Sequence, residues 1–426
     1  MSIKIYLTTI FCLALSVLSQ DIVAQEKTIS LDEAKKMALE NNNNIKKAQQ
    51  NIDAASAANA SAKTADKPSL SAGLMGLYVA KPLSVLIPEY NANATLGLTQ
   101  VVYAGGKISN AKKLTSSLVE LQNQQKVLTT SEVLLNTETA YWQLVNINEK
   151  KIVAQEYIKL LTALYTDLNN SFQAGLIYKN DVLRVQVQLN EAELNLTKAN
   201  DGLTMSKLNL AQIIGLKNTD FIVADKSSND FSAAAFSNFS EASEKRPEIA
   251  ILKKAVEVQE FQGKILEGDR RPSVALSANG LYAVGEKINV SNGKNDMASF
   301  YGLVSINVPV FDWGGRKEKV KEQKFKTEAQ KLELIETKEQ ITLEIQNAYL
   351  QLKQSIQRTE LAKKSFQQAQ ENLRLNNDRF NVGTVIGKDV LEAQALWQQA
   401  YSNTIDAKAE YKINEAKYKK AIGELK

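Results

Sequence analysis

The sequence predicts a mixed α and β chain built from two tandem repeats, each a pair of strands followed by a long helical hairpin. Three observations carry that reading. The stretch Phe380-Asn-Val-Gly383, followed by Asp389-Val-Leu391, has a near copy 208 residues earlier in Phe172-Gln-Ala-Gly175, followed by Asp181-Val-Leu183. The segments flanking both copies hold no proline and are rich in Leu, Ala, Glu, Lys and Gln, as long helices require. Two pairs of segments alternate apolar with small polar residues over roughly ten positions, the period of a strand.

Each copy of the glycine stretch reads as the tip of a helical hairpin. Glycine suits a helix that stops in a left-handed conformation. Aspartate suits the start of the next helix, where it caps free N–H groups. One copy would pass for an ordinary loop; two at a constant offset point to duplication.

Composition removes several classes of function. The 426 residues include no histidine and a single cysteine, Cys12. Most acid–base, nucleophilic and transition-metal sites therefore lack their usual residues, and no enzyme, metal or cofactor is expected. The net charge of +5 comes from interspersed charges of both signs, without the basic tract that nucleic acid would need. Residues 1–24 form a short basic start, an apolar run and a cleavage site after Ala24, the pattern of a secretory signal. No later stretch reaches the ~20 apolar residues of a membrane-spanning helix.

In chain order, Leu31–Leu39 opens a helix with Ser30 as cap and Glu33 at the capping-box position. Asn41–Asn44 interrupt it, and an Ala-rich helix continues to about Lys63. Strands are expected over Leu70–Tyr78 and Ala94–Tyr103, separated by a loop from Lys81 to Asn91. The Gly105-Gly106 pair joins the second strand to a helix running from Lys107 to about Phe172, on the order of 100 Å at about 1.5 Å per residue. After the first tip a helix returns from Asp181 to Ile214, where Gly215 stops it. The repeats are expected at 25–216 and 241–426, with an Asp- and Ser-rich linker at 217–240.

The second repeat replays these features. A helix starts at Arg246-Pro247, and Arg271-Pro272-Ser273-Val274 through Tyr282 copies the first strand. A polar loop from Gly285 to Asp296 precedes a strand over Phe300–Val310. Gly314-Gly315 then mirrors the first joint, a long helix runs to Phe380, and a last helix ends at Gly423. Ile341, Ile345, Leu352, Ser355, Thr359, Phe366 and Leu373 fall on a coiled-coil seam with steps of four and three. Val390, Trp397, Tyr401, Thr404 and Tyr411 continue it on the return helix, with the small polar members expected to weaken it. The aromatics there read as packing in preference to a ligand box.

Four amphipathic strands of membrane-crossing length cannot close a barrel alone, because such barrels start at about eight strands. Open edges in hydrocarbon cost several kcal/mol per unsatisfied group. The sheet is either outside a membrane or shared among chains.

In the order and repetition of its tips and of its joints, Tyr103-Ala-Gly105-Gly106-Lys107 and Phe311-Asp-Trp-Gly314-Gly315-Arg316, the chain resembles the TolC-like outer-membrane efflux family. The resemblance covers nearly the whole mature length. It implies a homotrimer with a twelve-stranded outer-membrane β-barrel, four strands per chain, continuous with a periplasmic α-helical coiled-coil barrel. It also implies a passive exit duct, in a tripartite efflux or type I secretion system, serving an inner-membrane transporter through a periplasmic adaptor, with outer-membrane lipid around the barrel.

By position in the family's motif, the narrow periplasmic aperture falls on Asp389 and Glu392, with Asp181 at the equivalent place in the first repeat. Arg184 there replaces the second acid, and Val385 stands where the family often has a basic residue. The plain reading of Asp389 is a helix cap. The adaptor would touch the tips at Gly175, Leu176, Gly383 and Thr384. The alternative is a periplasmic coiled-coil structural or adaptor protein without a pore, which would have one hairpin and no membrane-length strands.

Overall fold

The computed structural model describes residues 27–223 and 238–425. The expected signal segment at 1–24 and the middle of the expected linker lie outside the described residues. The chain begins with a short strand, β1 (Lys27–Ile29), and a helix, α1 (Leu31–Asn41). Ser30 and Glu33 form the expected capping box: the Ser30 hydroxyl accepts from Glu33 N at 3.3 Å, and Ser30 N donates to Glu33 Oε2 at 2.8 Å. Asn42 is extended and breaks the helix, and its side-chain amide donates to Ile213 O at 2.9 Å. Helix α2 (Asn43–Lys63) follows, then β2 (Ser69–Tyr78) and β3 (Tyr90–Ala104).

Helix α3 (Lys107–Gln173) has 67 residues, and α4 (Lys179–Ile214) returns from the first tip to end at Gly215, φ 75°. Strand β4 (Phe221–Val223) pairs in parallel with β1, a contact that three-residue segments cannot announce by periodicity. Helices α5 (Phe239–Glu244) and α6 (Pro247–Gly268) lead to β5 (Ser273–Gly285) and β6 (Asp296–Asn307). The last strand stops before Val308-Pro309-Val310, which the alternation had included; Pro309 has no N–H to give a ladder. Helix α7 (Gly315–Asn381) again has 67 residues, and α8 (Gly387–Ala421) closes the chain. No helix among the described residues is long and apolar enough to cross a membrane.

The four long strands form one antiparallel sheet in the order β2-β3-β5-β6. Its register sorts side chains by chemistry. Leu70, Leu98 and Ala278 share a row on one face, as do Leu276 and Val304, Gly280 and Phe300, and Val274 and Ile306. This face is exposed: Leu74 is 88% and Phe300 76% accessible. The opposite face carries Ser71, Asn93, Gly97, Thr99, Ser277 and Asn279, with Met75, Leu77, Val101, Leu281, Met297, Tyr301 and Leu303 as its larger apolar members. Thr99 and Ser277 hydroxyls lie 3.4 Å apart across that face. Ring pairs mark both ends of the strands, Tyr78–Tyr90 at 5.1 Å and Phe311–Trp313 at 4.9 Å. Alternation of this kind, with aromatic girdles, is what a membrane barrel wall requires.

The chain forms two compact units. One comprises the described residues of Met1–Asn42, Leu134–Ala233 and Leu352–Ala416; the other comprises those of Asn43–Val133, Ala234–Gln351 and Lys417–Lys426. In the first, the seam between α7 and α8 is built as the periodicity predicts, with Leu352, Ser355, Thr359, Leu373 and Val390 buried. Its small polar members strengthen it. Thr359 donates to Ala407 O and Thr404 to Ala362 O, each at 3.2 Å, so hydroxyls tie one helix to the other's backbone. Phe366 and Tyr401 stack beside them at 4.6 Å.

In the second unit, Arg246 is 2% exposed and stands at the position just before α6, without a side-chain capping bond. It donates to Glu248 Oε2 at 2.9 Å, to Glu344 Oε1 of α7 at 3.3 Å and to the Ala421 carbonyl of α8 at 3.1 Å. Burial pushes the Glu248 carboxyl up, but the Arg246 hydrogen bond and charge outweigh it and hold the carboxyl below its usual range. Arg246→Met leaves that partly buried carboxylate without its main partner. It is expected to destabilise the fold by about 3 kcal/mol, read as a fall in the denaturant midpoint.

Glu244, at the end of α5, is held down to about 2 by hydrogen bonds from Lys253 and Lys338. Because its folded value lies below its unfolded one, its stabilisation is complete above the ordinary carboxylate range and is lost as pH falls toward 2. Glu244→Gln should therefore flatten the acid limb of the thermal midpoint against pH and leave the slope above about pH 6 unchanged.

Candidate functional site

The two tips are built alike because the same backbone problem is solved twice. Helix α3 ends with Gly175 N donating to Phe172 O and Leu176 N to Ser171 O, both at 2.9 Å. Helix α7 ends with Gly383 N donating to Phe380 O and Thr384 N to Arg379 O, again at 2.9 Å. These paired bonds are the Schellman closure, which places a left-handed residue just past the helix. Gly175 has φ 75° and Gly383 φ 74°, and a Cβ at either would meet nothing within 4 Å. Backbone conformation, not crowding, selects glycine at both sites.

The aspartates sit one turn further in than a cap. Tyr178 and Ile386 precede α4 and α8, so Asp181 and Asp389 are the third residues of their helices. Asp389 Oδ2 accepts from Ile386 N at 3.2 Å, the reach-back half of a capping box. Asp389 is half-buried, and Glu392, one turn on, is exposed. Tyr178 makes no side-chain capping bond, and Asp181 is also half-buried.

Below the tips one apolar cluster unites all four helix ends. Tyr157, Leu161, Leu164 and Leu168 of α3 meet Val182 and Val185 of α4 and Val390 of α8, with Phe172 and Phe380 packed against them. The aromatic residue three positions before each tip glycine is thus an anchor into this cluster. Gly387 is the closest approach: a Cβ there would lie 2.7 Å from Leu168 Cδ2. Among polar side chains such as Lys179, Asn180, Asn381 and Lys388, four large apolar ones are left outside, with Leu176 at 77%, Tyr178 at 83%, Val382 at 73% and Ile386 at 64% exposure. Tyr178, Val382, Ile386 and Gly387 escaped the sequence reading, because only tertiary contacts separate a covered apolar residue from an open one.

The strand-to-helix joints align differently from the glycine pairs. Gly105 and Gly106 have φ 65° and 87°, and their conformational counterparts are Trp313 at 54° and Gly314 at 85°. Gly315 instead opens α7 and corresponds to Lys107. The 208-residue offset of the tips gives the same alignment. Gly105 has no alternative: a Cβ would stand 2.5 Å from Gly268 O. Trp313 is 92% exposed, so space does not forbid a side chain, and Asp312 secures the turn by accepting from Gly314 N at 3.2 Å and Arg316 N at 2.8 Å. The Arg316 bond, the larger cause despite some desolvation, holds the Asp312 carboxyl below its usual range.

The sequence model of the outer membrane efflux protein family matches the chain twice, over residues 35–216 and 238–424. The chain belongs to this family. As an outer membrane efflux protein it works as a channel of the outer membrane and extends into the periplasm, a location that the two-faced sheet suits. Outer membrane protein TolC of Escherichia coli (strain K12) is 21% identical over 353 residues, which is 79% of this chain and 70% of that protein.

Among solved structures, the CmeC outer membrane channel of Campylobacter jejuni superposes with a TM-score of 0.79 at 20% identity, covering 92% of this chain and 85% of that one. The open-state MtrE outer membrane channel of Neisseria gonorrhoeae gives a TM-score of 0.77 at 18% identity, covering 93% and 89%. This efflux protein therefore shares their fold through most of its length.

At the tip, Gly387→Ala forces a methyl group into Leu168, and overpacking of this kind costs about 1–3 kcal/mol. Hydrogen exchange should speed up at the start of α8, and Leu168→Ala in the same chain should restore part of the lost protection. Independent, additive effects of the two changes would show that the contact is not close.

Proposed function

We propose that three copies of this efflux protein join to form one continuous duct, a passive conduit without chemistry of its own. The observation that carries this reading is the sheet. It is apolar on one face and largely polar on the other, and β2 and β6 each have one edge without a partner among the described residues. In hydrocarbon such edges must be satisfied, and pairing β2 of one copy with β6 of the next does so in a closed ring of three. The tandem repeats at 25–216 and 241–426, either side of a linker at 217–240, then give the ring its internal near-symmetry.

At the periplasmic end the tips form the docking surface for a periplasmic adaptor, through which an inner-membrane transporter delivers cargo. Gly175 and Gly383 shape the two turns, and Leu176 and Thr384 flank them. The exposed apolar side chains around the turns support a protein partner. Asp389 and Glu392, with Asp181, line the narrow aperture there. Asp389 combines that role with its bond to Ile386, so the cap and aperture readings coexist.

Assembly tests the duct. Protein extracted from outer membranes should run as a trimer, and a monodisperse folded monomer in light scattering would overturn the reading. The aperture is tested by Asp389→Asn with Glu392→Gln, which keeps side-chain size and the Ile386 acceptor while removing charge. Single-channel recordings should then lose cation preference and block by multivalent cations, since a ring of carboxylates favours cations. Unchanged selectivity would remove these residues from the aperture and leave the trimer standing.

A further inference from the structure

The two joints and the turn from α6 into β5 enclose a hollow of 240 Å³ to which the efflux reading assigns no role. Lys107, Arg271, Arg316 and Lys319 line it, with Asp269 as the one acid in the wall. Asp269 accepts from Lys107 at 2.9 Å, and Asp312 stands 3.5 Å from Arg316 while its oxygens also serve two backbone N–H groups. Arg271 and Lys319 have no ion-pair partner among the described residues. The wall thus carries four basic side chains against one acid, with Asp312 beside Arg316 and Glu322 near Lys319 as the further acids around it.

The fold imposes this convergence. Gly105 lies against Gly268 O and Arg271 Cβ, so the start of α3 is pressed onto the end of α6. Lys107 follows Gly105 and Arg271 follows the end of α6, and both therefore reach one space. Ser273 and Asn307 pair in register and close the wall from the sheet. They stand on the face that carries Ser277 and Thr99, the largely polar one.

We propose that the hollow is an oxyanion site that takes one phosphate-class group from the water-filled side of the sheet. This rests on the reading that the polar face lines the duct. Arginine presents a planar fork of donors to such a group and lysine a mobile point charge. A cleft lined by one sign of charge also concentrates counter-ions. The volume is below the roughly 300–1,000 Å³ that encloses a drug-sized molecule, so it suits one anionic group and not a whole cargo. A phosphate could be free, borne on a water-soluble cargo molecule, or part of a phospholipid headgroup. The first two share the aqueous route.

Purified full-length protein in detergent, titrated with inorganic phosphate at low ionic strength, tests the site by phosphorus NMR line broadening. Saturable broadening is expected with the wild type. It should weaken about tenfold or more in Arg271→Gln with Lys319→Gln, and stay within about threefold in Arg271→Lys with Lys319→Arg. No saturable binding by the wild type, or equal binding by the Gln variant, overturns the proposal.

Native mass spectrometry with added phosphatidylglycerol supplies the lipid arm. Lipid retention that depends on Arg271 and Lys319, without binding of free phosphate, overturns the aqueous route. Planar-bilayer recordings check the duct separately, and the Gln variant should still conduct. Phosphate binding by a wild type that forms no channels would overturn the duct and leave the cationic site.

Discussion

A helix without proline has no internal reason to stop, so the architecture depends on where the backbone is made to turn left-handed. Gly175, Gly215 and Gly383 all take φ near 75°, and each ends a long helix. Moving the end at Gly175 or Gly383 by one residue would rotate the following segment by about 100° relative to the helix before it. The apolar cluster under the tips would then lose either Val182 or Val390. The Schellman closures set the register, and hydrophobic burial exploits a register already set.

The same economy of means governs the helix contacts. Thr359 and Thr404 would be poor coiled-coil residues if burial of apolar area were the only stabilising effect. Each instead places its one hydroxyl proton between a carbonyl of the facing helix and one of its own, which satisfies the hydroxyl and links two backbones. A methyl group could fill the same space but could not fix the axial register. Gln394 is the exception: it donates to Leu160 O, while its own buried oxygen has no partner among the described residues. A buried acceptor left so carries a desolvation cost of about 1–3 kcal/mol.

Charge is distributed according to element type. The strands carry almost none, whereas the helices carry it along their length and the joints and tips hold charges too: Asp312 and Arg316 at one joint, Lys107 and Asp269 near the other, Asp389 and Glu392 at a tip. For a membrane channel this separation is physically required. Lipid excludes charge from the strand faces, and the aqueous ends are where it can be arranged to select what passes.

The sequence by itself determined the long elements, their order and their duplication. Periodicity of two and of three-and-four, the absence of proline, and glycines repeated at constant offset are local signals, legible without any contact. The Ser30–Glu33 box and the seam from Ile341 to Leu373 were read from spacing alone for that reason. Tertiary structure decided what spacing cannot express. It aligned Trp313-Gly314 with Gly105-Gly106, because a left-handed backbone is set by geometry and only usually by glycine. It placed Asp389 third in its helix, opposite the Ile386 N–H. It paired β1 with β4, two segments too short to carry a period. It also brought Arg246, Glu344 and Ala421 together across the chain, since convergence of distant residues depends on packing and leaves no mark in the neighbourhood of any one of them.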